Sequence, residues 1–256
     1  MAPWSIDELH GPDGEDWRVP VSELESRITE LSNNLAEAGI EAALIQSPVD
    51  LYYYAGGRPN GALLIPAVDS AASTEQGGDG ATFFVRRSVE RAKFEAGADD
   101  SCLQIQKFPS LRIFAETLTN MGIDGGIGLQ LGEIPADFGK KFKSALAPLG
   151  EGKDCTAIVH HQRETKSDWE LEMMREGAKV QRQMFETVKQ SVTLGATELD
   201  LVAAAEEVSR RHGFGGTVQM RRFPLQCDRA VIASGRAGGV PSFFDSAIGG
   251  TGPHPM

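Results

Sequence analysis

Short apolar segments alternate with helix-periodic segments through the first 150 residues, and this alternation constrains the fold more than any other feature. Five segments have the length and composition of strands: IEAALIQ (40–46), ALLIP (62–66), TFFVRR (82–87), CLQIQKF (102–108) and GIGLQL (126–131). The segments between and before them carry helical spacing or helix start and stop signals, at about 24–38, 88–97, 110–121 and 135–147. Strands and helices that alternate at these lengths predict an α/β layer structure.

The first helix has the clearest amphipathic pattern. Its apolar residues at helical spacing are Leu24, Ile28, Leu31, Leu35 and Ala38. Gly39 follows where a C-terminal cap belongs. Further along, SPVDLYYYAGG (47–57) predicts a helical turn that ends in glycines, and DSAASTEQGGDG (69–80) predicts a surface loop.

A second domain is predicted after a linker near residue 150. Ser167 and Glu170 form a capping box that begins a helix over about 168–192. Thr197 and Asp200 begin another helix, which ends near residues 212–213. From Gly215 onward the chain has the pattern of extended segments and glycine loops. The predicted organisation is a lead-in arm (1–20), an α/β domain (21–150) and an incomplete α+β domain (151–256).

Charge and apolar patterning disfavour nucleic-acid and membrane partners. The net charge is -11, although residues 208–256 contain six Arg and only two Asp, a net of +4. These arginines are interleaved with glycine and apolar residues, so we interpret them as a basic segment paired with acidic neighbours. The sequence shows no signal-peptide pattern and no apolar run near 18 residues.

The three cysteines predict a reducing compartment. Cys102, Cys155 and Cys227 are far apart in the sequence and form no CxxC pair. An odd, scattered set of this kind favours buried thiols over a disulfide framework or a zinc ribbon. The protein is therefore expected to be cytoplasmic.

The family resemblance rests on an ordered series of motifs. Residues 163–178, RETKSDWELEMMREGA, resemble the signature R-x-x-K-S-x-x-E-I-x-x-M-R-x-A that opens the catalytic domain of the creatinase/prolidase/aminopeptidase P peptidase family. The likeness continues through TLGATELDLVAAAEEVSRRHG (193–213) and VIASGRAGGVPS (231–242). It also extends backwards to segments that resemble the family's N-terminal domain: LAEAGIEAALIQSPVDLYYYAGG (35–57), FFVRRSVERAKFEAG (83–97) and IGLQLGEIPADF (127–138).

The resemblance implies a two-domain metallohydrolase. Its N-terminal creatinase-type domain would have a mixed sheet with flanking helices, and its catalytic domain a pita-bread fold. That second domain would hold two divalent metal ions (Mn, Co or Zn) between two Asp, one His and two Glu. The metals would activate a hydroxide against an amide carbonyl, commonly in an Xaa-Pro peptide. A small peptide or small-molecule substrate and a homodimer are also implied.

The chain departs from this pattern at the metal ligands. After Glu207 it contains no glutamate, and its only aspartates there are Asp228 and Asp245. We therefore expect the N-terminal portion of an Xaa-Pro dipeptidase or aminopeptidase, without cofactor and inactive alone. The alternatives are a non-catalytic dimerisation or binding module, or part of a non-peptidase relative such as a creatinase-like hydrolase or a lyase.

Four residues are candidates for a substrate cleft. His254 lies in the terminal GGTGPHPM (249–256), which lacks the Lys-Ser/Thr of a phosphate-binding loop. His254 either corresponds to the family's substrate-side histidine or is an exposed loop histidine. Ser234 and Gly235 resemble the family's cleft-edge pair. Tyr53 lies where relatives place substrate-facing or dimer-facing aromatics, although core packing is expected for at least two residues of YYY (52–54). The pair His160-His161 is interpreted as polar surface after a strand.

Overall fold

The computed structural model describes residues 18–72, 80–216 and 232–239. The chain divides into two compact units, one that ends at Thr165 and one that begins at Lys166. The strands of the first unit are β1 (Ala42–Ile45), β2 (Gly61–Pro66), β3 (Thr82–Val85), β4 (Gln104–Lys107), β5 (Ile127–Leu129) and β6 (Lys153–Asp154). Its helices are α1 (Val21–Glu37), α2 (Pro48–Ala55), α3 (Val89–Glu95), α4 (Phe114–Thr119), α5 (Ala136–Leu146) and α6 (Thr156–Gln162).

The six strands form one mixed sheet in the order β4-β3-β2-β1-β5-β6. Strand β2 is antiparallel to both β1 and β3, whereas the remaining neighbours are parallel. The strands other than β2 therefore end at the same edge of the sheet. The predicted α/β class and the mixed sheet with flanking helices are confirmed.

Both faces of the sheet are buried, which explains why the central strands read as continuous apolar runs. On one face, alternate residues such as Ile45, Ile65 and Phe83 pack in the same cluster as α1, α2 and α6. On the other face, Leu44 and Phe84 join a cluster with α4 and α5. Because side chains alternate across a strand, neighbouring residues of β1 belong to different layers.

The segment after β6 differs from the prediction. We expected His160-His161 to follow an apolar strand, but Thr156–Gln162 is helix α6. Two side-chain hydrogen bonds of Asp154 with Thr156 start this helical turn. The buried residues Cys155 and Val159 then lie four apart, and both pack into the cluster that contains α1. The first compact unit ends at Thr165, and the domain boundary at residue 150 stays a prediction from the sequence.

Strands β4 and β5 are shorter than predicted. The predicted segment 102–108, which contains β4, is half-buried as expected: Leu103 and Phe108 are buried and Ile105 is partly buried, whereas Gln104, Gln106 and Lys107 are exposed. Strand β4 is an edge strand, so one of its sides has no neighbouring strand in the sheet.

The second unit contains α7 (Asp168–Ser191) and α8 (Glu198–Arg211), which pack together, and the short α9 (Gly235–Gly238). Both predicted capping boxes are present: the Ser167 hydroxyl accepts from Glu170 N, and the Thr197 hydroxyl accepts from Asp200 N. Of the extended segments predicted from Gly215 onward, residues 232–235 have no strand geometry, and Gly235 begins α9. The parts of these segments between residues 217 and 231 and after residue 239 lie outside the described residues. Among the helices that are described, none is long and apolar enough to cross a membrane.

Candidate functional site

A cavity of about 360 Å³ opens in the first unit at the edge where β1, β3 and β5 end. We call it the strand-end cavity. Gln46 and Ser47 follow β1, Arg86 follows β3, and Arg58 and Asn60 precede β2. Ligands of sheets with parallel strands commonly bind at the carboxyl ends of those strands, so this edge is the natural place for a site.

The opposite side of the cavity is mainly apolar. Ile134 and Pro135 lead into α5, and Phe138 and Phe142 project from that helix. Leu51 of α2 completes this wall. The cavity thus combines an apolar side with polar and cationic groups, which is the usual composition of a small-molecule site.

A buried hydrogen-bond network fixes the polar end of β1. The side-chain oxygen of Gln130, which is fully buried, accepts from the backbone N–H of Gln46 at 2.7 Å and of Ser47 at 2.9 Å. Its amide nitrogen donates to Asp50 Oδ2 at 2.6 Å. Arg163 Nη1 donates to the other Asp50 oxygen at 2.6 Å. The backbone beside the cavity is therefore held by groups from α2, the end of β5 and the residue after α6.

Tyr53, a residue of α2, belongs to a second network of contacts. The residue is 8% exposed, and its ring lies edge-to-face with that of Tyr54, with ring centroids 4.8 Å apart. The Arg27 guanidinium lies 4.1 Å from the Tyr53 ring centroid, and Arg27 Nη1 donates to the Tyr53 carbonyl at 2.7 Å. Tyr53 and Tyr54 are buried and Tyr52 is exposed, as expected if two of the three pack in the core. A role for Tyr53 in a cleft stays a prediction.

The Tyr54 hydroxyl is bound within the same network. It donates to Gln162 Oε1 at 2.8 Å, and Gln162 Nε2 donates to the Arg27 carbonyl at 2.8 Å. Burial raises the pKa of Tyr54 well above its ordinary value, and the nearby Tyr53 and Asp50 act in the same direction. The phenol is therefore a neutral hydrogen-bond donor that joins α2 to α6.

His160 and Glu133 form a contact at the cavity margin. His160 Nε2 lies 2.8 Å from Glu133 Oε1, and both side chains are largely shielded. Glu133 also lines the strand-end cavity. His161, in contrast, is exposed and lies 3.3 Å from Glu164. One histidine of the pair thus contacts the candidate site, which the interpretation as polar surface missed.

Asp154 and Cys155 have shifted pKa values for different reasons. Burial alone would raise the pKa of Asp154, but hydrogen bonds from Thr156 and from the Leu131 N–H outweigh it and lower the pKa. Burial raises the pKa of the Cys155 thiol to about 12, and the Asp154 charge adds to this. Cys155 is accordingly an unreactive core thiol at neutral pH.

The Asp154 shift predicts a pH-dependent contribution to stability. A lowered folded-state pKa stabilises the fold above the unfolded value near 3.9, and that contribution is lost as the pH falls through the folded pKa. We expect Asp154→Ala to lower the free energy of unfolding by about 1 kcal/mol at pH 7, because hydrogen bonds to a partly exposed carboxylate are lost. The deficit should shrink below about pH 4.

Urea denaturation between pH 3 and 7 measures this effect. The matched control is Asp69→Ala, which removes an exposed carboxylate that has no hydrogen-bond partner among the described residues. A deficit for Asp154→Ala that stayed constant with pH would contradict the assignment.

The predicted cleft residues are distributed over both units. Tyr53 belongs to the first unit, whereas Ser234 and Gly235 belong to the second. The Ser234 hydroxyl is exposed and donates to Glu198 Oε1 at 2.9 Å, and Gly235 has a φ of +54°. His254 lies outside the described residues. Their assignment to a substrate cleft therefore stays a prediction.

The described residues do not fit a metal pair. Within residues 18–72, 80–216 and 232–239, no three His, Cys, Asp or Glu side chains form a group that could hold a metal ion.

Sequence reasoning missed several residues of the candidate site. Arg58 lies in none of the quoted motifs, whereas Arg86 and Gln130 lie in segments that resemble the family's N-terminal domain but were assigned no role. Arg163 was noticed only as the first residue of a family signature.

Comparison with known proteins supports a common origin of the first unit. The Creatinase/Prolidase N-terminal domain model matches residues 27–165. The Xaa-Pro dipeptidase of Pyrococcus furiosus is 24% identical over 193 residues, which are 74% of this chain and 49% of that protein. The chain thus spans about half the length of this curated relative.

Solved structures agree on the fold. A Xaa-Pro dipeptidase from Bacillus anthracis superimposes with a TM-score of 0.60 at 21% identity, over 74% of this chain and 50% of that one. A zinc-substituted Escherichia coli aminopeptidase P in complex with product gives a TM-score of 0.58 at 17% identity, over 77% of this chain and 50% of that one. At these identities the superpositions show the fold alone.

Proposed function

Because the chain belongs to the Creatinase/Prolidase N-terminal domain family, we propose that it supplies the N-terminal portion of an Xaa-Pro peptidase. This portion would comprise the creatinase-type domain and the beginning of the catalytic domain. The supporting observation is the alignment with an Xaa-Pro dipeptidase, which covers 74% of the chain. The 193 aligned residues are more than the first unit contains, so the alignment extends past Thr165.

We propose that the first unit forms part of the framework of the enzyme and helps to position its substrate. In a complete enzyme, which would assemble as a homodimer and act on small peptides in a catalytic cleft, it would be the N-terminal domain. The cleft itself would be built by the second domain, whose pita-bread fold is also part of this proposal. Assembly as a homodimer and location in the cytoplasm remain predictions from the sequence.

The coding DNA after Met256 tests the proposal directly. We expect an in-frame continuation that encodes a D-x-G strand, a GYxxDxTR-like segment and later His and Glu ligands. A genuine stop codon with no such sequence beyond it would contradict the proposal, and would favour the alternative of a non-catalytic binding module.

We further propose that the 256-residue chain alone neither retains a catalytic metal pair nor hydrolyses Xaa-Pro peptides. Only Asp228 and Asp245 supply carboxylates after Glu207, and a dimetal site needs several carboxylates to bridge its ions. After incubation with excess Mn²⁺ and dialysis, metal analysis should find sub-stoichiometric manganese. Proline release from a Leu-Pro substrate should not exceed that of a buffer blank.

Two retained manganese ions per chain, or turnover that a chelator abolishes, would overturn this second proposal. The proper positive control is the Xaa-Pro dipeptidase of Pyrococcus furiosus, a full-length relative that can be assayed in the same way.

A further inference from the structure

We infer that the strand-end cavity binds a small carboxylate that has an apolar body and one hydrogen-bond donor. The site lies entirely within the first unit, so the inference does not depend on the proposed hydrolytic function. Four features of the cavity lead to this ligand class: its cationic groups, the helix ends beside it, one unpaired acceptor and its apolar wall.

Two arginines supply positive charge. Arg58 and Arg86 both line the cavity, and neither guanidinium has a carboxylate partner among the residues that the structure describes. The Arg86 guanidinium lies 4.2 Å from the centroid of the Phe108 ring, and the Arg86 N–H donates to the Asn60 carbonyl at 2.7 Å. These contacts hold the loop that carries Arg58 beside the end of β3. Guanidinium groups on one cavity favour an anion, and their planar donors suit a carboxylate.

The carboxylates at and near the cavity have partners other than Arg58 and Arg86. Of the described residues that line it, Glu133 is the one with a carboxylate, and His160 Nε2 lies 2.8 Å from that group. The nearby acids of the first helical turns do not line the cavity: Asp50 binds Gln130 and Arg163, and Asp137 pairs with Lys141 at 3.6 Å. The arginine charge is therefore available for a ligand.

Two helices begin at the cavity and add to the positive potential. Ser47 and Pro48, at the start of α2, line it, as do Pro135 and Phe138, at the start of α5. A helix N-terminus carries a partial positive charge and favours an anion nearby. The helix ends support the arginines here and would not define a site without them.

The side-chain oxygen of Gln46 identifies the second polar group of the ligand. This oxygen is shielded from solvent and has no hydrogen-bond partner among the described residues; Gln46 is one of the residues that line the cavity, and a rotation of its side chain presents the oxygen to a ligand there. A buried acceptor without a partner is costly, and a ligand N–H or O–H would relieve that cost. A carboxylate ligand with a neighbouring N–H matches both the acceptor and the arginines.

The size and the apolar wall complete the ligand class. A volume of about 360 Å³ accommodates a molecule with one aromatic or branched aliphatic group. Leu51, Ile134 and Phe138 offer that group an apolar surface. N-acetyl-L-phenylalanine combines the carboxylate, the N–H and the apolar body, and it is the probe that we choose.

Calorimetric titration of the 256-residue chain with three related probes tests the inference. N-acetyl-L-phenylalanine should bind saturably. N-acetyl-L-phenylalaninamide, which lacks the carboxylate, should bind at least about tenfold more weakly, the scale of one lost charge-assisted interaction. 3-Phenylpropionate, which keeps the carboxylate but lacks the N–H, should bind several-fold more weakly than the first probe.

Variants assign the contacts to residues. Arg58→Ala and Arg86→Ala should each weaken N-acetyl-L-phenylalanine by about tenfold or more. Gln46→Leu should remove the advantage of N-acetyl-L-phenylalanine over 3-phenylpropionate. The matched control is Arg87→Ala, which removes the same charge from an exposed residue that does not line the cavity. Arg58 is also exposed and makes no described contact, so its variant should fold normally by circular dichroism.

Three outcomes would overturn the inference. The first is the absence of saturable binding of N-acetyl-L-phenylalanine up to about 10 mM, because a dissociation constant above that concentration would be too weak for a specific site. The second is equal binding of the acid and its amide. The third is an affinity that Arg58→Ala leaves unchanged or that Arg87→Ala reduces equally.

Discussion

Replacement of Arg163 with methionine is expected to lower the free energy of unfolding by about 3–5 kcal/mol, because it leaves the buried carboxylate of Asp50 without its cationic partner. The Asp50 side chain is 1% exposed, and Arg163 Nη1 lies 2.6 Å from its Oδ1. The remaining donor to Asp50 would be the neutral amide of Gln130. One neutral hydrogen bond does not offset the desolvation of a buried charge.

This loss is measured by urea denaturation at pH 7, in which unfolding is monitored through a signal that comes from the first unit. The matched control is Arg175→Met, which removes an exposed arginine whose pair with Glu172 spans 3.3 Å and should cost less than about 1 kcal/mol. The double variant Asp50→Asn/Arg163→Met should recover part of the loss, since the uncompensated charge is then absent. An Arg163→Met variant as stable as Arg175→Met would refute the role of this ion pair.

The second large effect is expected at Phe114, whose replacement with alanine should cost about 3–5 kcal/mol through the lost burial and the cavity that it leaves. Phe114 is fully buried. Its ring centroid lies 5.1 Å from Phe108, 5.3 Å from Phe84 and 6.2 Å from Phe142. These rings fill the layer between the sheet and helices α4 and α5, so no neighbour can close the gap without a change of rotamer.

Phe114→Leu and Phe185→Ala are the controls for this prediction. Leucine keeps most of the apolar volume and should cost clearly less than alanine. Phe185 is 66% exposed on α7, and its truncation should change the stability by no more than about 0.5 kcal/mol. Equal effects of Phe114→Ala and Phe185→Ala on the urea midpoint would show that the aromatic layer does not stabilise the first unit.

Arg163 and Ser167 differ in whether their partners can be identified from the neighbouring sequence. Both belong to the segment that resembles a family signature. The capping box of Ser167 was predicted correctly because its partner, Glu170, is three residues away on the same helix. The partner of Arg163 is Asp50, which is 113 residues away, and no local pattern identifies it.

The error at α6 has a similar origin. The residues AIV (157–159) are as apolar as those of a buried strand, and a run this short cannot distinguish strand from helix. The hydrogen bonds between Asp154 and Thr156 favour the helical turn, and packing of Val159 into the α1 side of the core stabilises it. Tertiary contact thus decided a conformation that the local sequence left open.

The sequence by itself determined the α/β class, the approximate position of most helices and strands, both capping boxes and the resemblance to a peptidase family. These properties depend on periodicity, caps and motif order, all of which act over a few residues or are read directly from the chain. Tertiary structure alone decided the strand order, the antiparallel insertion of β2, the link from Gln130 to Asp50 across 80 residues and the convergence of Arg58 and Arg86 on one cavity. The physical reason is that such contacts depend on how whole layers pack, and the pattern of any single element does not specify its neighbours.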